Sequence, residues 1–190
     1  MNAQDDSIKQ HVMLDLETLG LKPNSVILSV GAALFSLDGQ IEPLYHRRIT
    51  IQSCLDAGLE VDGDTVEWWM NQKEENRGRL FAVKTKPLGA TLWELDNVVK
   101  SVRPNGIYVW SHGSNFDTVL YENACKKTGM SIWWDYRNVR DTRTLFDLAN
   151  YKYKASGIHD ALDDAMNQAK AVCEAYALLR RMNNGNMEKL

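Results

Sequence analysis

The chain has 190 residues, with 22 Lys+Arg against 25 Asp+Glu and a formal net charge of −3. That length suits one domain with a substantial core. The charge excludes a strongly basic nucleic-acid coat, but not an enzyme whose own carboxylates hold cations.

In chain order, residues 1–10 are polar and lack the apolar core of a signal peptide. No stretch approaches the ~20 apolar residues of a membrane span. Cys54, Cys125 and Cys173 have no paired spacing, so neither a disulfide framework nor a zinc site is indicated. Reduced thiols in a cytoplasm are the simplest expectation.

Residues 11–18, His11-Val12-Met13-Leu14-Asp15-Leu16-Glu17-Thr18, read as an apolar strand. Period two sets Asp15 and Glu17 on one face and Leu14 and Leu16 on the other, toward a core. Adjacent carboxylates repel unless a cation lies between them, and divalent metals take carboxylate oxygens. The plainer reading of the pair alone is a solvent-facing acidic strand end. A Gly/Pro loop follows at 19–24, then an apolar run at 25–35 that suits a strand buried on both faces. Asp38-Gly39 is a hairpin signal, and 41–51, with Arg47-Arg48, returns as a third antiparallel strand.

Residues 53–58 suit a short helix. Asp64 is the expected N-cap of a helix at 65–72 that contains Trp68-Trp69, and 74–84 reads as a polar helix. After Pro87, residues 88–102 place Leu92, Leu95, Val98, Val99 and Val102 on one side of a longer helix, which Pro104-Asn105-Gly106 ends. A short strand at 107–110 leads to a helix at 114–128 closed by Gly129. A last strand is expected at 136–139, followed by a helix at 142–151 capped by Asp141. The loop at 151–157 carries Lys152 and Lys154. The final helix runs from Asp160 to about Met182, with 183–190 frayed. The order predicts an α/β fold, a mixed sheet of five strands (three antiparallel, then two parallel) flanked by helices. One domain spans 1–190, with its core at about 11–178.

Asp117 lies in Ser114-Asn115-Phe116-Asp117, where the strand ending at Trp110 turns into a helix. The helix dipole alone favours an acid there. Yet this is also where open α/β sheets present ligands, outside the carboxyl ends of their strands. In the last helix, Asp163 shares a stripe with Asn167, Lys170 and Glu174 and should face water. Asp164 shares a stripe with Ala161, Gln168, Ala171 and Ala175, small enough to approach the sheet. Asp160 is a cap, so Asp164 is the carboxylate expected inside, where it needs a cation. His159 sits on the loop just before.

These residues carry a resemblance. Asp15-x-Glu17-Thr18, Ser114-Asn115-Phe116-Asp117 at the entry to a helix, and His159-x-Ala161-x-x-Asp164-Ala165 resemble the DEDDh 3′–5′ exonucleases of the DnaQ-like, RNase H-like superfamily. The resemblance covers about residues 11–178. Thr65-Val66-Glu67-Trp68-Trp69-Met70 and the long second strand look most like the small phage exonucleases and a bacterial exoribonuclease-like group. The resemblance implies hydrolysis of single-stranded DNA or RNA from the 3′ end to nucleoside 5′-monophosphates. It implies two ions, Mg²⁺ or Mn²⁺, ~3.5–4 Å apart. Asp15, Glu17, Asp117 and Asp164 would be the ligands, with Asp15 bridging, and His159 the general base. Leu16, Thr18, Leu19 and Asn115 would meet the terminal nucleotide, and Trp68 or Trp69 would stack on a base. Arg47, Arg48, Lys152 and Lys154 are candidate phosphate contacts. Relatives include dimers, and Trp133-Trp134-Asp135-Tyr136 suits either an interface or a core corner.

Three rivals are weighed against this reading. A His-Asp phosphohydrolase needs a further downstream aspartate, and none follows Asp164. An RNase H-type endonuclease shares the fold and metals but not the His159–Asp164 spacing. A binding module that has lost its chemistry is not favoured, since all four carboxylates and the histidine are present.

Overall fold

A computed structural model of the chain describes residues 8, 10–81, 84–103 and 106–187. Most of the polar N-terminal segment, the Pro104-Asn105 helix stop and the last three residues of the expected frayed tail lie outside the described residues.

The first strand, β1 (His11–Thr18), pairs antiparallel with β2 (Ile27–Phe35), which pairs antiparallel with β3 (Ile41–Ile49). On its other side β1 runs parallel to β5 (Tyr108–Ser111), and β5 runs parallel to β6 (Val139–Asp141). A two-residue strand, β4 (Thr85–Lys86), pairs parallel with Arg48 and Ile49 of β3. The sheet order is therefore β4-β3-β2-β1-β5-β6. The five expected strands are present, and β4 is a sixth, too short and too polar to show a period-two signal.

Helices cover both faces of the sheet. Leu14, Val30 and Ala32 pack toward α4 (Leu88–Val102) and α5 (Asp117–Thr128), with Leu92, Leu95, Leu120 and Tyr121 in the same core. On the other face Met13, Ala33 and Phe35 meet Ala165, Ala169 and Val172 of α7 (Ala161–Met187). Ala161, Ala165 and Ala169 are fully buried, so small side chains let α7 lie close to the sheet. The approach is tightest at Gly31 of β2. A Cβ there would sit 2.1 Å from the carbonyl of Ala161, and only a residue without a side chain fits.

Several expected boundaries move, the first being that of the short helix α1, which spans Ile51–Asp56. The helix α2 (Gly63–Met70) is capped by Asp62, whose carboxylate accepts the Thr65 N–H at 3.2 Å; Asp64 lies in the first turn. The polar helix α3 spans Glu74–Leu80. A 3₁₀ turn at Tyr136–Asn138, held by Asp135, occupies the place expected for the last strand, which starts at Val139. Asp141 caps α6 (Thr142–Leu148) as expected. The backbone of 183–187 continues α7 instead of fraying. Trp133 and Trp134 are buried against Tyr121 and form a core corner, while Asp135 and Tyr136 are exposed. The cluster therefore gives no argument for a dimer. No helix among the described residues is long and apolar enough to cross a membrane.

Candidate active site

The strand β1 turns Asp15 and Glu17 to the α7 face, as period two requires. Pairing of β1 with β5 stops at Met13 and Trp110, so the ends of both strands open onto the same crevice. There Asp117 opens α5, is 4% exposed, and accepts the Leu16 N–H at 3.2 Å. That bond ties the start of α5 to the strand that carries the other two acids. From the opposite side α7 supplies Asp164, which accepts the Ser156 hydroxyl at 2.7 Å. Ligand atoms of Glu17, His159 and Asp164 lie within 4.8 Å of one another. The cleft so formed is lined by all four carboxylates, His159, His112, Tyr153 and Gln168.

His159 has left-handed backbone geometry, φ 54°, just after Gly157 at φ 73°. Asn76 of α3 donates to the Gly157 carbonyl at 3.1 Å and anchors this loop. The histidine ring meets Trp68 and Trp69 edge-on, with centroids 5.1 and 5.9 Å away. Asp160 accepts the N–H groups of Leu162 and Asp163, the expected cap. Asp163 pairs with Arg79 at 3.3 Å outside the cluster, so helical phase separates it from Asp164.

Burial dominates the electrostatics. It pushes Asp15 well above the carboxylate range, reinforced by the charges of Asp117 and Glu17. Burial, then Asp164 and Asp117, raise Glu17 to about 8. Burial raises Asp117 to about 7 against the Leu16 N–H, which favours its charged form. Burial also raises Asp164, with the Ser156 hydrogen bond opposing. Among the described residues, no lysine or arginine pairs with any of the four.

Beside the cleft, Leu16, Thr18, Trp68 and Trp69 line an apolar pocket of about 410 Å³. The two tryptophans differ. Trp69 is 3% exposed, and its indole N–H donates to the Thr18 carbonyl at 2.9 Å. Trp68 is 44% exposed. Leu19 is turned into the core, and Asn115 is exposed but lines neither cavity. Arg47 pairs with Glu94 at 3.5 Å. Several residues of the two cavities, Tyr153 among them, are not read from the sequence as site residues. Leu21 and Phe116 also line the apolar pocket; Phe116 is marked only as part of the motif around Asp117, and Leu21 not at all. His112, whose Nδ1 lies 2.7 Å from the Thr142 hydroxyl, is equally silent. Gln168 donates to Asp15 at 2.8 Å, and its place on the Asp164 stripe was the available signal.

A mixed sheet whose strand ends gather two carboxylates from β1, one from α5 and a histidine–aspartate pair at α7 defines the DEDDh class of 3′–5′ exonucleases. Residues 10–176 match the family model of the 3′–5′ exoribonuclease Rv2179c-like domain, and the chain belongs to that family. It is accordingly a nuclease that hydrolyses nucleic acid from the 3′ end. The fold resembles the RNase domain of the yeast Pop2 protein, at TM-score 0.53 and 13% identity, covering 90% of this chain and 78% of that one. The S. pombe Pop2p structure in its Mg²⁺- and Mn²⁺-bound form aligns at TM-score 0.48 and 11% identity, over 87% and 82% of the two chains. No curated protein sequence matches.

Proposed function

We propose that the chain is one exonuclease domain, with its core at about residues 11–178, acting in the cytoplasm on single-stranded nucleic acid to release nucleoside 5′-monophosphates. One observation carries the reading. Asp15, Glu17, Asp117 and Asp164 converge in one cleft with no cationic side chain paired to them among the described residues. Buried like charges are costly without a counter-ion. Hard carboxylate oxygens fit Mg²⁺ or Mn²⁺, and the raised proton affinity of this set is what an uncompensated metal site shows. These four residues would hold a pair of ions. When bound, the ions supply charge neutralisation at the scissile phosphate and a water of lowered pKa.

The chain's own groups do the rest. His159, held edge-on by two indoles, accepts the proton of the attacking water. Gln168 donates to one Asp15 oxygen and so orients the carboxylate that would hold the cations. The apolar pocket takes the terminal base, with Trp68 offering the exposed ring and Trp69 buttressing it at a centroid distance of 4.9 Å. The family's description as exoribonuclease favours RNA among the substrates.

The test is end specificity. An oligonucleotide blocked at its 3′ end should resist digestion with Mg²⁺, whereas a 5′ block should leave the rate unchanged. Internal cuts in a circular single strand would instead identify an endonuclease. The base pocket has its own test. Base–aromatic stacking is worth ~1–3 kcal/mol, so Trp68→Ala should raise KM roughly 5- to 150-fold with a smaller change in kcat. Steady-state kinetics on one oligonucleotide checks this, and an unmoved KM removes Trp68 from the base pocket.

A further inference from the structure

The apolar pocket and the carboxylate cleft are continuous, since both are lined by Leu16, Glu17 and Phe116. The cleft continues in the other direction. Tyr153 lines it and also lines a groove of about 260 Å³ between residues 151–156 and α7. Three lysines converge on that groove, Lys152 and Lys154 from the loop and Lys170 from the helix. All three are exposed, and none pairs with a carboxylate among the described residues. The one carboxylate in the groove, Glu174, accepts the Tyr151 hydroxyl at 2.5 Å.

We propose that this groove receives the phosphodiester backbone of the strand upstream of the scissile phosphate. The assignment rests on the terminal base occupying the Trp68 pocket. The strand then runs from that pocket, past the carboxylates, into the lysines. An acidic cleft repels a polyanion, and a chain of net charge −3 needs local cations beyond the cleft to hold one. Tyr153 at the junction, ring-packed on His112 and Phe146, gives the first upstream base an aromatic neighbour. The other basic hollow, at the β3–β4 edge, lacks these features. It shares no lining residue with the cleft, and its Arg47 and Lys86 are already held by Glu94.

The test is the salt dependence of binding, read by fluorescence anisotropy of a 5′-labelled decanucleotide with Ca²⁺ present. For single strands the slope of log K against log salt is about −0.7 per phosphate contact. The triple variant Lys152→Gln/Lys154→Gln/Lys170→Gln should therefore bind with a slope about 2 units shallower. Between about 50 and 200 mM salt the wild type should lose roughly 20-fold more affinity than the variant. An unchanged slope overturns the proposal. So does a slope lost instead in Arg48→Gln/Lys84→Gln, which would send the strand over the β3–β4 edge. Hydrolysis of a dinucleotide by the wild type with Mn²⁺ tests the exonuclease reading separately. Lysine-dependent binding without hydrolysis would keep the groove and refute that reading.

Discussion

Replacing Asp15 with asparagine is expected to abolish hydrolysis and, without metal, to make the protein more stable at and above neutral pH. The two effects share one cause. Asp15 is held well above the carboxylate range by burial, then by the charges of Asp117 and Glu17. The folded protein therefore binds protons more tightly than the unfolded chain at these sites. For such acids the folded state loses stability as pH rises from the ordinary carboxylate value through the folded one. With Glu17 at about 8 and Asp117 at about 7, the loss extends past neutrality. Buried histidines work the other way. His11, held down to about 4, and His46 and His112, also lowered by burial, add stability as pH rises toward about 6.5. Above about 6.5 the carboxylates act without that opposition. The melting temperature of metal-free wild type should fall by several degrees between about pH 6.5 and 8, each kcal/mol being worth ~2–4 °C at this size. Mg²⁺ or Mn²⁺ should remove the fall, and Asp15→Asn should reduce it without metal. Thermal melts at two pH values and an activity assay check both halves. A folded mutant of near wild-type activity, or a flat metal-free profile, would sink the assignment.

The second large effect is expected at His159. If it accepts the water's proton, His159→Ala should lose turnover by roughly 10²–10⁴-fold while metal and substrate still bind. Raising the pH should then restore part of the rate, because hydroxide needs no base. Its Nδ1 or Nε2 also lies within 4.8 Å of Glu17 and Asp164 ligand atoms, so the position allows direct ligation. A ligand would show itself differently: the variant would need far more Mn²⁺ and would recover when given it. The left-handed backbone at 159, φ 54°, disfavours alanine. His159→Asn is the companion variant, since asparagine tolerates that conformation. Calorimetric Mn²⁺ titration beside kcat at saturating metal separates the two roles.

The parts of the site that follow from periodicity were legible in the sequence. Period two on β1 places Asp15 and Glu17 together, and helical phase on α7 divides Asp164 from Asp163, which pairs with Arg79. Features fixed by tertiary contact were not legible. Trp68 and Trp69 are equivalent in sequence, and only the hydrogen bond to Thr18 separates a buttress from an open ring. Leu19, expected at the terminal nucleotide, is buried in the core, whereas Leu21, two positions on, is 76% exposed and lines the apolar pocket. The strand β4 exists only because β3 offers it an edge, and α2 starts two residues earlier than expected, so Asp62 and not Asp64 is its cap. Gln168 shows its role only once Asp15 stands opposite, 153 positions away.

The missing side chain at Gly31 has a consequence for how the site meets its ligand. Main chain of α7 rests on main chain of β2 there, next to the strand that carries Glu17 and one turn before Asp164. Contacts between backbones have no rotamers to relax, so the main-chain separation of these two residues is set when the sheet and helix dock. The repulsion between them is thus met during folding, by the packing of Ala161, Ala165 and Ala169. Ligand atoms of Glu17, His159 and Asp164 lie within 4.8 Å of one another, so they would have little distance to close in order to hold a cation. Preorganisation of this kind moves the reorganisation cost out of the binding step and out of the catalytic step.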